Sequence, residues 1–238
     1  MPQSFILTCE HAGNNIPAAY EHLFYGQEEV LYSHKAIDFG ALWLAKSMAK
    51  YNKLPFYFTS TSRLLVEANR SLDNEELFSQ YTKNLPEPAK ETILEQFYFP
   101  HRKQVESAIK SEITNGNQVI HLAVHTFTPA MDGKVRETDI GILFDPVRSF
   151  EQRIADIFKI GLLAQNSDLK VQYNSPYPGI ADGLPTYLRK QFTDPHYAGF
   201  ELEVNQKFFL SGEKKGWNAL IRNLTAALAL VIKNQTKY

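Results

Sequence analysis

Short apolar runs rich in β-branched and aromatic residues alternate along the chain with stretches whose apolar positions recur every three to four residues, the rhythm that βα units produce. The runs predict strands at Phe5–Thr8, Pro55–Thr59, Val119–Val124, Asp139–Phe144, Lys170–Tyr173 and Phe200–Val204. Helical spacing predicts helices at Gly40–Tyr51, Pro88–Thr114, Phe150–Gln165, Leu184–Phe192 and Trp217–Ile232. The last places Leu220, Leu224, Leu228 and Val231 on one face, which marks that face as core. The fold class expected is α/β, a central sheet flanked by helices. The polar, proline-bearing stretch from Ser71 to Pro88 reads as a long loop, a lid or an insertion.

Composition narrows the partners more than the fold. With 238 residues, 44% of them apolar, the chain can bury a full core, and one domain over 1–238 is the expectation. The 25 basic and 26 acidic side chains leave a net charge of -1, so the electrostatic attraction that drives nucleic-acid binding is missing, as is any pull toward an anionic membrane surface. A small-molecule partner is expected instead. Cys9 is the one cysteine, which excludes an intramolecular disulfide framework and any multi-cysteine metal site, and suits a reducing compartment. The opening MPQSFILTCEHAG lacks a basic n-region and reads as a strand, and the apolar stretch Thr225–Ile232 is far shorter than the roughly 20 residues of a membrane span. A cytoplasmic, soluble protein is expected.

The candidate chemistry sits where the strands stop. The first strand runs into Glu10-His11, the third into His125-Thr126, and the last carries Glu201 and Glu203. In open α/β sheets such groups converge outside the carboxyl ends of the strands. Two imidazoles suit Zn²⁺, and a third, carboxylate ligand with water would complete an open site. His121 lies mid-strand in an apolar run and reads as a satisfied core histidine, and His22, His34 and His196 carry no pattern. In Thr61–Arg70, Arg63, Asn69 and Arg70 offer a planar fork and a neutral amide suited to an anionic substrate; surface arginines bonded to carbonyls or to Glu67 are the plain alternative. Arg102 and Arg136 add to this positive set. Glu201 and Glu203, two apart on a strand, project to one face, and a glutamate there could serve as proton carrier. Cys9 beside His11 is a rival nucleophile, although an apolar strand is where thiols are usually inert.

Taken in order, CEHAGNNIP, SRLLVEANR, VHTFTP, RETDIGILFD, NSPYPG and ELEVN resemble the N-formylglutamate amidohydrolase family over nearly the whole chain. The resemblance implies one α/β domain similar to zinc-dependent exopeptidases, with a mixed sheet flanked by helices on both faces, and hydrolysis of N-formyl-L-glutamate to formate and glutamate. It implies His11 and His125 as zinc ligands, Glu203 as catalytic glutamate, and Asn69-Arg70 as the grip on the substrate's carboxylate; Arg63 or Arg136 is the expected further contact for the substrate's carboxylates. The wider relatives place a ligating glutamate three residues after the first histidine, where this chain has Asn14. Asp38 and Glu10 are the substitutes, Asp38 being preferred because Glu10 would alternate away from His11 on a continuing strand. A metal-free relative that binds small anions is the alternative.

Overall fold

The computed structural model describes residues 1–235. Its strands are β1 (Gln3–Cys9), β2 (Phe56–Phe58), β3 (Gln118–Phe127), β4 (Ala130–Met131), β5 (Lys134–Val135), β6 (Ile140–Leu143), β7 (Val171–Tyr173) and β8 (Tyr197–Asn205). Its helices are α1 (Ala41–Asn52), α2 (Glu87–Ile93), α3 (Phe99–Thr114), α4 (Ser149–Gln165), α5 (Leu184–Gln191), α6 (Lys207–Leu210) and α7 (Lys214–Gln235). Six strands form one sheet in the order β2-β1-β3-β8-β6-β7, and β4 pairs with β5 in a separate hairpin. The pairs β2/β1, β1/β3, β3/β8 and β6/β7 are parallel, whereas β6 runs antiparallel to β8. The sheet is therefore mixed, and every predicted strand is one of its members.

Helices cover both faces because the central strands are apolar on both sides, as buried parallel strands are. Leu7, Cys9, Leu122, Val124, Phe200 and Leu202 pack with α1, α4 and α7 on one face, where Leu220, Leu224, Leu228 and Val231 are buried as their spacing predicts. On the other face Ile6, Val119 and Tyr197 pack against Val105 and Ile109 of α3 and Leu184 and Leu188 of α5. Trp217 is buried against Phe209 in the first of these cores.

Three departures from the predicted elements have physical causes. The helix expected over Pro88–Thr114 is α2 and α3 joined by a π-helical turn at Leu94–Tyr98. Pro100 has no N–H to give the carbonyl of Gln96 and its ring crowds that carbonyl, so an inserted residue relieves the clash. Strand β3 runs three residues past Val124, so His125 lies inside the strand and not beyond its end. Finally, Asp132 and Gly133, at φ of 50° and 75°, form the two-residue turn between β4 and β5, a hairpin that the Asp-Gly pair permits because both residues tolerate positive φ. The stretch 71–86 carries no regular helix or strand, but it is packed down: Leu77 is buried with Leu65, Val66, Ile93 and Tyr98.

Candidate functional site

Register decides which side chains can meet. Thr8 pairs with Ala123, Ala123 with Glu201 and His125 with Glu203, so these residues share the face covered by α3 and α5. Cys9 lies on the opposite face among the residues packed on α1, and burial pushes its thiol well above the usual range. The rival cysteine nucleophile is thus turned away from the histidines.

After Cys9 the chain leaves the sheet through Glu10-His11-Ala12-Gly13. It passes so close to the backbone of Ser60 that a Cβ on Gly13 would stand 2.6 Å from the Ser60 carbonyl oxygen. That approach holds His11 over the strand ends. A second loop, ending where Gly40 takes a left-handed φ of 84° before α1, delivers Asp38, whose N–H donates to the His11 carbonyl at 3.2 Å. The result is a buried cluster. His11 Nδ1 and His125 Nδ1 are 3.2 Å apart, and Asp38 Oδ2 lies 3.2 Å from the first and 3.1 Å from the second.

These three atoms fit a metal ion. Ligands of a tetrahedral Zn²⁺ bound at about 2.0–2.1 Å stand roughly 3.3 Å from one another, close to the spacing found, and two imidazoles with one carboxylate leave the fourth position open. Among the described residues His11, Asp38 and His125 form the one group of three or more such side chains whose donor atoms converge. Glu10 does not join it. The strand ends at Cys9, and Glu10 turns behind His125, with Oε2 3.3 Å from His125 Nε2 and Oε1 3.1 Å from His101 Nε2. Asn14 is also elsewhere, its amide donating to the Leu31 carbonyl at 2.7 Å.

The electrostatics follow from burial and pairing. Burial alone would raise Asp38 and Glu67, but His11 and His125 beside the first, and Arg63 and His11 beside the second, hold both well below the usual carboxylate range. Burial would depress His125, yet its contacts with Asp38 and Glu10 outweigh this and hold it up. Glu203 behaves oppositely. Burial pushes its carboxyl up to about 8, with His125 opposing and Asp38 and Glu201 reinforcing, and its Oε2 is enclosed without a hydrogen-bond partner. A carboxyl of this kind holds or releases a proton near neutral pH.

The arginine-rich motif separates into different roles. Arg63 is partly open to solvent, with Nε 2.5 Å from Glu67 Oε2 and Nη1 3.8 Å from Asp38 Oδ1 and 3.4 Å from His11 Nδ1. The Glu67 pairing foreseen for a plain surface arginine is therefore made, but at the cluster. Asn69 is buried and engaged at both ends, its Nδ2 donating to Glu201 Oε1 at 2.8 Å and its Oδ1 accepting from Leu184 N at 2.7 Å. Arg70 is half-buried, donating to the Asp182 carbonyl at 2.9 Å. Arg102 is a brace, giving its Nη1 to the carbonyls of Ala68 and Arg70. Arg136 stands apart from the cluster, over the rings of Phe127 and Tyr177 and donating to the Tyr177 hydroxyl at 3.0 Å. His121 is satisfied by Thr8 Oγ1 and the Tyr197 hydroxyl, each at 2.8 Å.

Two residues of the site had no assigned role in the sequence. Glu67, 2.6 Å from His11 Nε2, announces itself there only as the i,i+4 partner of Arg63. His101 carries no local signal, since only the packing of α3 on the sheet brings it to Glu10.

The family model for N-formylglutamate amidohydrolase matches residues 3–210. The chain belongs to the N-formylglutamate amidohydrolase family. Among solved structures it is similar to a gene product of Agrobacterium tumefaciens, at 26% identity and a TM-score of 0.79, over 95% of this chain and 91% of that one. It is also similar to an N-formylglutamate amidohydrolase from Ralstonia eutropha, at 15% identity and a TM-score of 0.71, over 99% of this chain and 93% of that one. No curated protein matches it. The N-formylglutamate amidohydrolase family is one of amide hydrolases acting on small molecules, and among the described residues no helix is long and apolar enough to cross a membrane.

Proposed function

We propose that the protein is a zinc-dependent amidohydrolase that removes the N-formyl or a similar N-acyl group from an acidic amino acid such as N-formyl-L-glutamate. The observation that carries this reading is the meeting of His11 Nδ1, His125 Nδ1 and Asp38 Oδ2 at 3.1–3.2 Å beside a buried carboxyl poised near neutral pH. His11, Asp38 and His125 would hold the ion, and Asp38 takes the place left in doubt by Asn14. When bound, Zn²⁺ supplies Lewis acidity, lowering the pKa of water and polarising a carbonyl.

The proton work falls to Glu203. It accepts a proton as water attacks the acyl carbonyl and returns it to the departing amine, so the C–N bond breaks to give a carboxylic acid and a free amino acid. Burial holds its carboxyl above the ordinary range, and a cation bound beside it would lower it toward the range in which it can accept a proton at neutral pH. Arg70, whose contacts leave part of its fork open, grips a substrate carboxylate, and Arg136, over the Phe127 ring and apart from the cluster, is the more distant candidate for a second. Arg63 at the open edge of the cluster supplies positive charge to the oxyanion. Asn69 contributes by holding Glu201 and the start of α5 in place.

A metal-free family member that binds small anions is the competing reading, and one observation favours it: the Arg63 guanidinium leans on the same His11 nitrogen that would bind zinc. One experiment separates the two. Elemental analysis of the purified protein, followed by a formate-release screen over N-formyl amino acids, is expected to give about one zinc per chain and release from acidic substrates that a chelator abolishes. Protein that takes up no transition metal even after reconstitution, while binding N-acyl amino acids, would sink the enzymatic reading.

A further inference from the structure

The two converging histidines are each backed by a buried carboxylate on the ring nitrogen that faces away from Asp38. Glu67 Oε1 is hydrogen-bonded to His11 Nε2 at 2.6 Å, and Glu10 Oε2 faces His125 Nε2 at 3.3 Å as a charge contact outside hydrogen-bond alignment. Each carboxylate is in turn held on its other oxygen, Glu67 by Arg63 Nε at 2.5 Å and Glu10 by His101 Nε2 at 3.1 Å. Glu67 also accepts the Asn69 N–H at 3.0 Å. Glu10, Glu67 and His101 are all buried, so neither arrangement is a surface ion pair of little consequence. The two arms come from separate parts of the fold: one from the motif after β2, the other from the end of β1 and from α3.

The chemistry of such an arrangement is specific. A carboxylate that accepts the Nε2–H of an imidazole, as Glu67 does, fixes the tautomer with its lone pair on Nδ1 and makes that nitrogen a stronger donor, and one that faces Nε2 as a counter-charge, as Glu10 does, favours the same tautomer. Here both Nδ1 atoms point at the same place. We propose that Glu10 and Glu67 are paired positioning residues that present His11 and His125 to the cation through Nδ1, and that His101, on α3, is the outer member that holds Glu10 in that role. The inference rests on the metal reading of the cluster given above. It extends the site beyond the family-like motifs to a helix whose sequence carries no sign of it.

The test titrates metal-free protein with Zn²⁺ in competition with a chromophoric chelator, alongside the thermal midpoint of the metal-free form. Glu10→Gln and Glu67→Gln keep shape and one acceptor but remove the charge. Each is expected to bind zinc about 10–100-fold more weakly than the native chain, Glu67→Gln toward the upper end because its contact is closer, while the metal-free thermal midpoint does not fall. His101→Leu, which strands Glu10, should weaken binding in the same direction, and His101→Gln, which can still donate to Glu10, should restore it to within about threefold of native. If the native chain binds zinc and the glutamine variants bind it equally tightly, or lose affinity only in step with a lower metal-free midpoint, the positioning role is wrong. If the native chain binds no zinc, the metal reading itself fails and this inference with it.

Discussion

A buried polar atom without a partner is costly, and His121 and Glu203 stand on opposite sides of that rule. His121 has partners on both ring nitrogens, whereas Glu203 is enclosed with one oxygen unsatisfied. Each leads to a distinct expectation. Glu203→Gln should lower kcat by about 10²–10⁴-fold while the zinc content stays at one per chain, because proton transfer and metal binding belong to different side chains; a parallel loss of zinc would refute that division. His125→Ala, by contrast, should remove both zinc and turnover, and a variant with full zinc stoichiometry would remove His125 from the ligand set. His121 contributes to acid lability. Burial draws it down from its ordinary 6.5 to about 4, so between those values the unfolded chain takes up a proton that the folded chain refuses. Stability from this residue is intact above pH 6.5 and is lost as pH falls toward 4, by an amount on the order of 3 kcal/mol at about 1.4 kcal/mol per unit. His121→Gln should narrow its stability gap to the native chain by that order between pH 7 and pH 4 in urea unfolding; a gap that stays constant would place the acid lability elsewhere. At this scale the sequence was readable where a residue type has one dominant use, as with His121 inside an apolar run. It was not readable for Glu67 and His101, whose meaning comes from tertiary contacts.

Elements were legible through periodicity and illegible where backbone chemistry overrode it. All six strands of the main sheet follow from short apolar runs and the long helices from three-to-four spacing, since a strand buried on both faces and a helix buried on one give those two patterns. The π-helical turn before α3 does not follow from that spacing, because Pro100 changes the hydrogen bonding and leaves the apolar stripe nearly intact. That turn matters to the site, as it sets the phase of α3 and hence where His101 points. The direction of β6 was likewise invisible: an antiparallel strand between β8 and β7 has the same apolar content as a parallel one. Helix α7 carries the clearest energetic expectation at this scale. Leu224 is fully buried between the helices of the first core, so Leu224→Ala should cost about 2–5 kcal/mol, the transfer term plus the cavity it leaves. Chemical denaturation with an unchanged m-value would check it, and a cost under about 1 kcal/mol would mean that α7 packs more loosely than its burial implies.

At the scale of the whole molecule, the near-zero net charge resolves into local concentrations of opposite sign: Asp38, Glu10, Glu67, Glu201 and Glu203 around two histidines, with Arg63 and Arg70 at the edge. Five carboxylates gathered there are costly without cations, and the arginines and histidines offset that cost only in part. The three proposed ligands also come from distant places in the chain: His11 from the end of β1, Asp38 from the loop before α1, and His125 from within β3. An ion held by all three ties the strand ends to the loop that starts α1, and the unfolded chain has no such site. Zinc should therefore stabilise the fold by mass action, by about 2.7 kcal/mol at a free concentration one hundred times its Kd, and by about 1.4 kcal/mol more for each further tenfold. If the chain unfolds as one unit, as expected of a single domain, the whole transition should move upward with zinc and keep its width. Thermal unfolding at stepped free zinc, with His125→Ala as the control that should not respond, measures this directly. An equal response in that variant would place the stabilising ion outside the cluster, and a transition that splits in two would show that the part of the fold bearing the site unfolds apart from the rest.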